Sequence, residues 1–336
     1  MSTPKGPFMY ASPRRLSVMI AAAGALATVA TVAAFAVAGL ANAGPAASYH
    51  FQTLNNGTDL TFNQLLGIND DDVIAGYFGS GAARHPNKGY ELWTPNTYRT
   101  ENYPRSTQTQ VTGLNNEGVT VGFWSTMDTS SMTNNNFGFY SANGQYHNVN
   151  FPTHNNASPQ VDQLLGINNH DVAVGFYTNA QGGNRGYEYN IGTRQFIRVL
   201  PPGFTNSTSL HSPSLTATGI NIHGDVTGFY NKTSSQVDAF LRLADGQFFT
   251  LAVHGAAMTQ AFGINDSDEI VGAYTVGSGN NAKTHGFTWS PSAGFRTVDD
   301  PHGIGTTTIN GINNHGDLVG FYTDSAGNTD GMLAQP

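Results

Sequence analysis

The chain has 336 residues, 11% of them charged, with 40 glycines, no cysteine and a formal net charge of −8. The acidic balance excludes a nucleic-acid-binding role, because displacing counterions from a phosphate backbone takes a stripe of Lys and Arg that this chain lacks. The absence of cysteine excludes disulfides, thiolate catalysis, cysteine-based zinc sites and a lipidated cysteine anchor.

The first predicted element is a leader over residues 1–43. Lys5, Arg14 and Arg15 precede an uncharged apolar run from Val18 to Leu40, and Ala41-Asn42-Ala43 offers a small-x-small cleavage site ahead of Gly44. This order predicts a signal peptide cleaved after Ala43 and a secreted or cell-surface protein. The run is also long enough to stay in the membrane as an N-terminal anchor if the leader is not cleaved. Arg14-Arg15-Leu16 carries a trace of a twin-arginine leader. Removing the three leader cations leaves 11 basic against 22 acidic residues, a balance that favours solubility and gives the mature chain no means of membrane insertion.

From Gly44 to Pro336 the sequence is dominated by a unit that recurs six times. Each copy contains Gly-(Ile/Leu)-Asn, beginning at Gly67, Gly113, Gly166, Gly219, Gly263 and Gly311, at spacings of 46, 53, 53, 44 and 48 residues. A second glycine stands nine residues further on in every copy: Gly76, Gly122, Gly175, Gly228, Gly272 and Gly320. The weakly alternating run before the first glycine, the polar turn, and a run such as Asp225 to Tyr230 read as a β-hairpin. A third short run is headed by Gly89, Gly138, Gly186, Ala239, Gly286 or Gly331. A fourth follows in five copies: Tyr98 to Tyr103, Gln145 to Phe151, Gln195 to Leu200, Gln247 to Val253 and Gly294 to Val298.

The sixth copy reaches Pro336 without a fourth run, whereas Tyr49 to Leu54 has that pattern but precedes the first Gly-Ile-Asn. Letting the N-terminal strand complete the last sheet closes a circular array and leaves neither end as an unpaired edge. The predicted fold is therefore all-β: a six-bladed β-propeller of four-stranded antiparallel blades over residues 44–336, with almost no helix and Tyr49–Leu54 completing the last blade. Nothing in the pattern calls for an oligomer, and a monomer is expected.

The units Ala261-Phe262-Gly263-Ile264-Asn265-Asp266, Thr284-His285-Gly286-Phe287 and Phe295-Arg296-Thr297-Val298-Asp299 resemble the repeats of the bacterial extracellular HAF family. That family is named for a His-Ala-Phe or His-Gly-Phe tripeptide heading the third strand. The resemblance runs from about Tyr49 to Leu333 and implies a β-propeller-like architecture; the family's function is largely uncharacterised, so it implies no catalytic residue. Only His285 keeps the namesake histidine, with Lys88, Phe137, Arg185, Asp238 and Asp330 in the matching places.

The six Asn that open the hairpin turns, at positions 69, 115, 168, 221, 265 and 313, suit left-handed angles and side-chain-to-backbone bonds. The acidic turns Asp70-Asp71-Asp72 and Asp266-Ser267-Asp268-Glu269 have too few oxygen donors at fixed spacing for a calcium loop and read as turns. Phe123-Trp124, Phe176-Tyr177, Phe229-Tyr230 and Phe321-Tyr322 recur at one strand position and read as core between blades rather than a sugar-stacking surface.

His211, His254 and His302 precede their Gly-Ile-Asn glycines by eight, nine and nine residues, and His154 by twelve. Those connections lead to the innermost strands, so the histidines are expected near the axis, where His211, His254 and His302 could hold a transition metal with an open position for water. The competing reading is four exposed loop histidines, with no cofactor. With Arg185 and His285 these histidines form the candidate ligand-binding set.

No Gly-x-Ser-x-Gly elbow, phosphate loop or His-Glu-x-x-His motif is present. Glycosidase carboxylates would have to come from different blades, without sequence spacing. The second-to-third and fourth-to-first connections vary in length and emerge on one face; the longest are Gly79 to Lys88, Ser125 to Asn136, Pro152 to Gln163 and Pro202 to Ser214. Irregular loops gathered on a rigid scaffold are where binding is expected. The sequence thus points to a non-catalytic binding or scaffold module for an extracellular glycan or protein, the alternative being a metal-dependent or carboxylate-based hydrolase or lyase acting at the propeller axis.

Overall fold

A computed structural model describes residues 48–93, 96–126, 135–200 and 213–336. The leader 1–43, His211 and most of the loops Ser125–Asn136 and Pro202–Ser214 lie outside the described residues. Short β-rich runs separated by Gly, Asn and Asp turns fold as 24 strands, with a single 3-10 turn at Gly279–Asn281 among the described residues. No described helix is long and apolar enough to cross a membrane.

The chain opens with β1 (His50–Thr53). The first unit is β2 (Asn63–Ile68), β3 (Ile74–Phe78), β4 (Lys88–Trp93) and β5 (Thr97–Thr100). The second is β6 (Gln108–Leu114), β7 (Thr120–Ser125), β8 (Phe137–Ala142) and β9 (Gln145–Val149); the third is β10 (Asp162–Ile167), β11 (Val172–Thr178), β12 (Asn184–Asn190) and β13 (Gln195–Arg198). The fourth is β14 (Leu215–Ile220), β15 (Val226–Asn231), β16 (Val237–Arg242) and β17 (Phe248–Leu251); the fifth is β18 (Met258–Ile264), β19 (Ile270–Val276), β20 (Lys283–Ser290) and β21 (Gly294–Val298). The last comprises β22 (Thr308–Ile312), β23 (Leu318–Thr323) and β24 (Thr329–Gln335).

Each unit is an antiparallel meander, the four-stranded blade of a propeller-like fold. The N-terminal strand completes the last one: β1 pairs with β24 in the register His50↔Gln335 to Thr53↔Met332, and the Leu54 N–H donates to the Gly331 carbonyl at 2.9 Å. The expectation of six separate sheets is met only in part. Four sheets are four-stranded, and the fourth and fifth units share one eight-stranded sheet. The physical reason is local, since the short link from β17 lays Met258 beside Val237 and adds one parallel pair between β16 and β18.

Both repeated glycines have a steric cause. Every first strand bulges one residue before its Gly-(Ile/Leu)-Asn glycine, as at Leu65/Gly67, and this drives a carbonyl towards the second glycine of the next strand. A Cβ at Gly175 would stand 2.0 Å from the Gln163 oxygen, and one at Gly320 2.0 Å from the Thr308 oxygen. The first glycines meet one another. A Cβ at Gly67 would lie 2.9 Å from Gly113 Cα, and the approach continues through Gly166, Gly219, Gly263 and Gly311, whose own Cβ would lie 3.1 Å from Gly67 Cα. Six backbones thus close on an axis that no side chain could share.

The repeated aromatics pack between units, as read from the sequence. Tyr103 stacks on Trp124 at 4.4 Å and Phe151 on Tyr177 at 4.9 Å, each joining one unit to the next. Such pairs add about 0.5–1.5 kcal/mol beyond the area they bury.

Candidate functional site: the two ends of the axis and the loop face

At the turn end of the axis, each repeated Asn does two jobs. Its Oδ1 accepts backbone N–H groups inside its own turn; Asn69 Oδ1, for example, takes those of Asp71 (3.1 Å) and Val73 (2.9 Å). Its Nδ2 donates to the carbonyl of the equivalent Asn in the next unit, from Asn69 through Asn115, Asn168, Asn221 and Asn265 to Asn313 and back to Asn69, at 2.8–3.4 Å. The adjacent residues form a second ring, in which the N–H groups of Asp70, Asn116, Ile222, Asp266 and Asn314 each find the side-chain oxygen of the next unit. The ring has a gap at Asn169, whose next neighbour is Ile222 and offers no acceptor.

The axis between these rings and the glycines holds cavities of about 60 and 70 Å³. That is space for two or three waters, far below what encloses a sugar ring. Neither cavity is lined by a predicted histidine. This corrects the expectation that the connections place His154, His254 and His302 near the axis. His254 is the second residue of a turn closed by the Ala256 N–H on the Val253 carbonyl, and His302 the third residue of one closed by Gly303 on Asp300, so both stand on the solvent side. His154 is exposed beside the Thr153 hydroxyl turn.

The predicted residues are not gathered. His302 Nδ1 lies 3.0 Å from Asp300 Oδ1, which also accepts its backbone N–H, and its ring tilts over Tyr322. His285 Nδ1 meets Asp299 Oδ2 at 2.7 Å, and its ring stacks on Tyr274. Arg185 is buried, donates to the Asn184 carbonyl at 2.8 Å, and has its pKa lowered first by burial and then by Arg198, against the opposing pull of Tyr177. Among the described residues, one set of three His, Asp or Glu side chains has ligand atoms within 4.8 Å of one another, and it sits at the turn end: Asp72, His315 and Asp317.

The loop face has its own regularity. In all six units an aromatic near the end of the second strand faces, across the ladder, a residue near the start of the third: Phe78↔Lys88, Trp124↔Phe137, Tyr177↔Arg185, Tyr230↔Asp238, Tyr274↔His285 and Tyr322↔Asp330. The aromatic side is nearly uniform and its partner changes chemistry from unit to unit. In the fourth unit Lys232 Nζ pairs with buried Asp238 at 2.9 Å. In the last unit Asp324 holds the equivalent hairpin position, bonded to Asn328 as Lys232 is to Gln236. There Asp330 is pushed up by burial and by Asp324 and Asp300, the Asn55 amide opposing. Asp300, buried, occupies the place that Tyr103 and Phe151 fill elsewhere, and no donor among the described residues reaches its Oδ2. The repeat pattern could have revealed the Lys232/Asp324 exchange; the exposure of the histidines had no sequence signal.

No family model and no curated protein matches the chain. Among solved structures, it is similar to the Aleuria aurantia lectin in complex with Fucalpha1-6GlcNAc, at 10% identity and TM-score 0.46 over 81% of this chain and 91% of that one. It is also similar to an ulvan lyase of a polysaccharide lyase family, at 12% identity and TM-score 0.43 over 83% of this chain and 80% of that one. A third likeness is to a glycosyl hydrolase from Bacteroides ovatus, at 9% identity and TM-score 0.37 over 68% and 83%.

Proposed function

We propose that the chain is an exported six-bladed β-propeller, related to the HAF-repeat proteins, that acts as a non-catalytic binding module for an extracellular glycan through its loop face. The blade count rests on the glycine and asparagine rings, each of which passes through six members before closing; the shared eight-stranded sheet then counts as two blades. Export rests on the leader pattern, with cleavage after Ala43, and the HAF relationship on His285-Gly286-Phe287 and its surrounding unit.

The observation that carries the binding reading is the contrast between the ends. The turn end keeps Asn in all six units, whereas one ladder position at the loop end carries Lys88, Phe137, Arg185, Asp238, His285 and Asp330, of which Lys88, Phe137 and His285 are partly exposed and the other three are buried beneath the loops. A rigid frame whose side chains change chemistry from unit to unit beside aromatic rings is an arrangement by which surfaces select ligands. A catalytic site on the axis is disfavoured by the small cavities there.

The test is a glycan array probed with the labelled secreted protein, followed by calorimetry on any positive glycan. Saturable binding weakened at least tenfold by Asp330→Asn or His285→Ala supports the reading. A blank array, with binding only to a protein or with turnover of a polysaccharide, refutes it.

A further inference from the structure

The Asp72, His315 and Asp317 cluster joins the two ends of the repeat array. Asp72 closes the first hairpin turn with φ +59°, while His315 and Asp317 lie in the turn of the last unit. Asn313 fixes their positions. Its Oδ1 accepts the N–H groups of both His315 and Asp317, and its Nδ2 lies 3.3 Å from Asp72 Oδ1 and 3.2 Å from Asp317 Oδ2. Gln335 Nε2 donates to the other Asp317 oxygen at 3.2 Å.

Two carboxylates are thus brought together around one neutral amide, with an imidazole as third member and no Lys or Arg in the group. The like charges oppose each other: burial and then Asp317 raise the Asp72 pKa, and only His315 works against them. A cavity of about 240 Å³ between the first and last units adjoins the cluster, and Asp72 and Gln335 are in its wall with Gln52, Ile74 and Leu333.

A second copy of the same residues provides an internal comparison. Between the fourth and fifth units, Asn221 Nδ2 reaches both Asp225 (3.5 Å) and Asp268 (2.9 Å), and burial and Asp225 raise the Asp268 pKa. There, however, His223 Nε2 turns to the Asp266 carbonyl at 3.2 Å, and the three ligand atoms do not converge. Between the second and third units, Glu117 and Val119 replace the His and the Asp. Convergence is therefore not a by-product of the turn sequence, because the His-Gly-Asp turn of the fourth unit lacks it.

We propose that Asp72, His315 and Asp317 bind one divalent transition-metal ion that clasps the first unit to the last. One imidazole nitrogen and two carboxylate oxygens suit zinc, cobalt or nickel, whereas calcium takes six to eight oxygens. The neighbouring cavity leaves space for water ligands. The inference is independent of the glycan reading.

The experiment uses the secreted protein, stripped with a chelator and titrated with zinc chloride by calorimetry and thermal unfolding, with calcium and magnesium chloride in parallel. The expected result is one zinc per chain, a higher Tm with zinc than with calcium, and at least tenfold weaker binding in both His315→Gln and Asp72→Asn. Those two side chains are not fully buried, so the variants keep the test available if Asp317→Asn does not fold. His223→Gln should bind zinc as the parent does. Absence of zinc binding, unchanged binding in His315→Gln, or loss of binding in His254→Ala/His302→Ala instead would each overturn the proposal.

Discussion

Asp162 is a buried carboxylate whose ionisation should make stability depend on pH near neutrality. It opens β10 with no exposed surface, accepts the Phe151 N–H on Oδ2 at 2.7 Å and the Tyr187 hydroxyl on Oδ1 at 2.5 Å. Burial pushes its pKa up to about 7, and these two bonds only partly oppose the shift. Other units perform the same backbone task with a neutral group: Thr109, Thr259 and Thr307 accept the N–H of Tyr103, Val253 and Asp300, and Asn63 accepts that of Asn56.

The sign follows from proton counting. Between the ordinary carboxylate pKa and about 7 the folded state holds a proton that the unfolded chain has released, so stability falls as pH rises through this window and is level above it. Three pKa units at about 1.4 kcal/mol each give a loss on the order of 4 kcal/mol. Asp162→Asn keeps the acceptor for Phe151 and removes the ionisation. Denaturant midpoints from pH 5 to pH 9 should show the variant gaining on the parent as pH rises. Other raised carboxylates, such as Asp72 and Glu101, titrate in both proteins and cancel in the difference. A difference that does not change with pH would refute the reasoning.

Three further outcomes can be measured by thermal or chemical unfolding. Gly166→Ala puts a Cβ 2.5 Å from the Thr218 oxygen and 3.2 Å from Gly219 Cα, and should cost about 3 kcal/mol or more, whereas Gly57→Ala meets nothing within 4 Å and should be neutral to about 0.5 kcal/mol; equal effects would remove the steric account of the axis. Ile222→Asn supplies the missing acceptor for the Asn169 N–H and should raise stability by about 0.5–1 kcal/mol, seen as a small rise in Tm; a fall would mean that the half-buried isoleucine contributes more than the bond. Starting the chain at Asn55 removes β1, strips β24 of its partner and should lower Tm and promote association through the bared edge; a Tm and a size in solution unchanged from the parent would show that closure by β1 is dispensable.

The meander of strands and the closure of the last sheet by the N-terminus were legible because each repeat writes the same pattern in the same order. The Asn turns were legible for the same reason, since an Asx turn is a local event of four or five residues. What remained hidden needs two units at once. The sequence shows six asparagines but not that each amide crosses to the next carbonyl, and it shows six glycines but not that their Cα atoms meet. The sharing of one sheet by the fourth and fifth units depends on a single contact, Val237 with Met258. The histidines were misplaced because an offset from a repeat marks how far along a connection a residue lies, and the direction of its side chain depends on which turn position it occupies.

The last unit differs from the other five because its outer strand comes from the opposite end of the chain: β1 pairs with β24, and residues 54–62 then carry the backbone across to β2 of the first unit. The other units are continuous meanders, whereas the β1–β24 pair brings together Thr53 and Met332, 279 residues apart, and closing a loop of that length costs about 5 kcal/mol plus a constant. In an open array of repeats the terminal units contact one neighbour and fray first. The β1–β24 ladder adds a strand that no other unit borrows, Asn55 next to it exchanges bonds with Asp330 and Gly331, and the Asn314 amide donates to Asp70 of the first unit. At about 1 kcal/mol per net hydrogen bond, these contacts are of the size needed to offset the closure entropy. A ring closed by a borrowed strand should open first by release of β1 from β24, which gives the cluster formed by Asp72 with His315 and Asp317 a mechanical consequence: any ligand it takes holds the first unit to the last without relying on that strand.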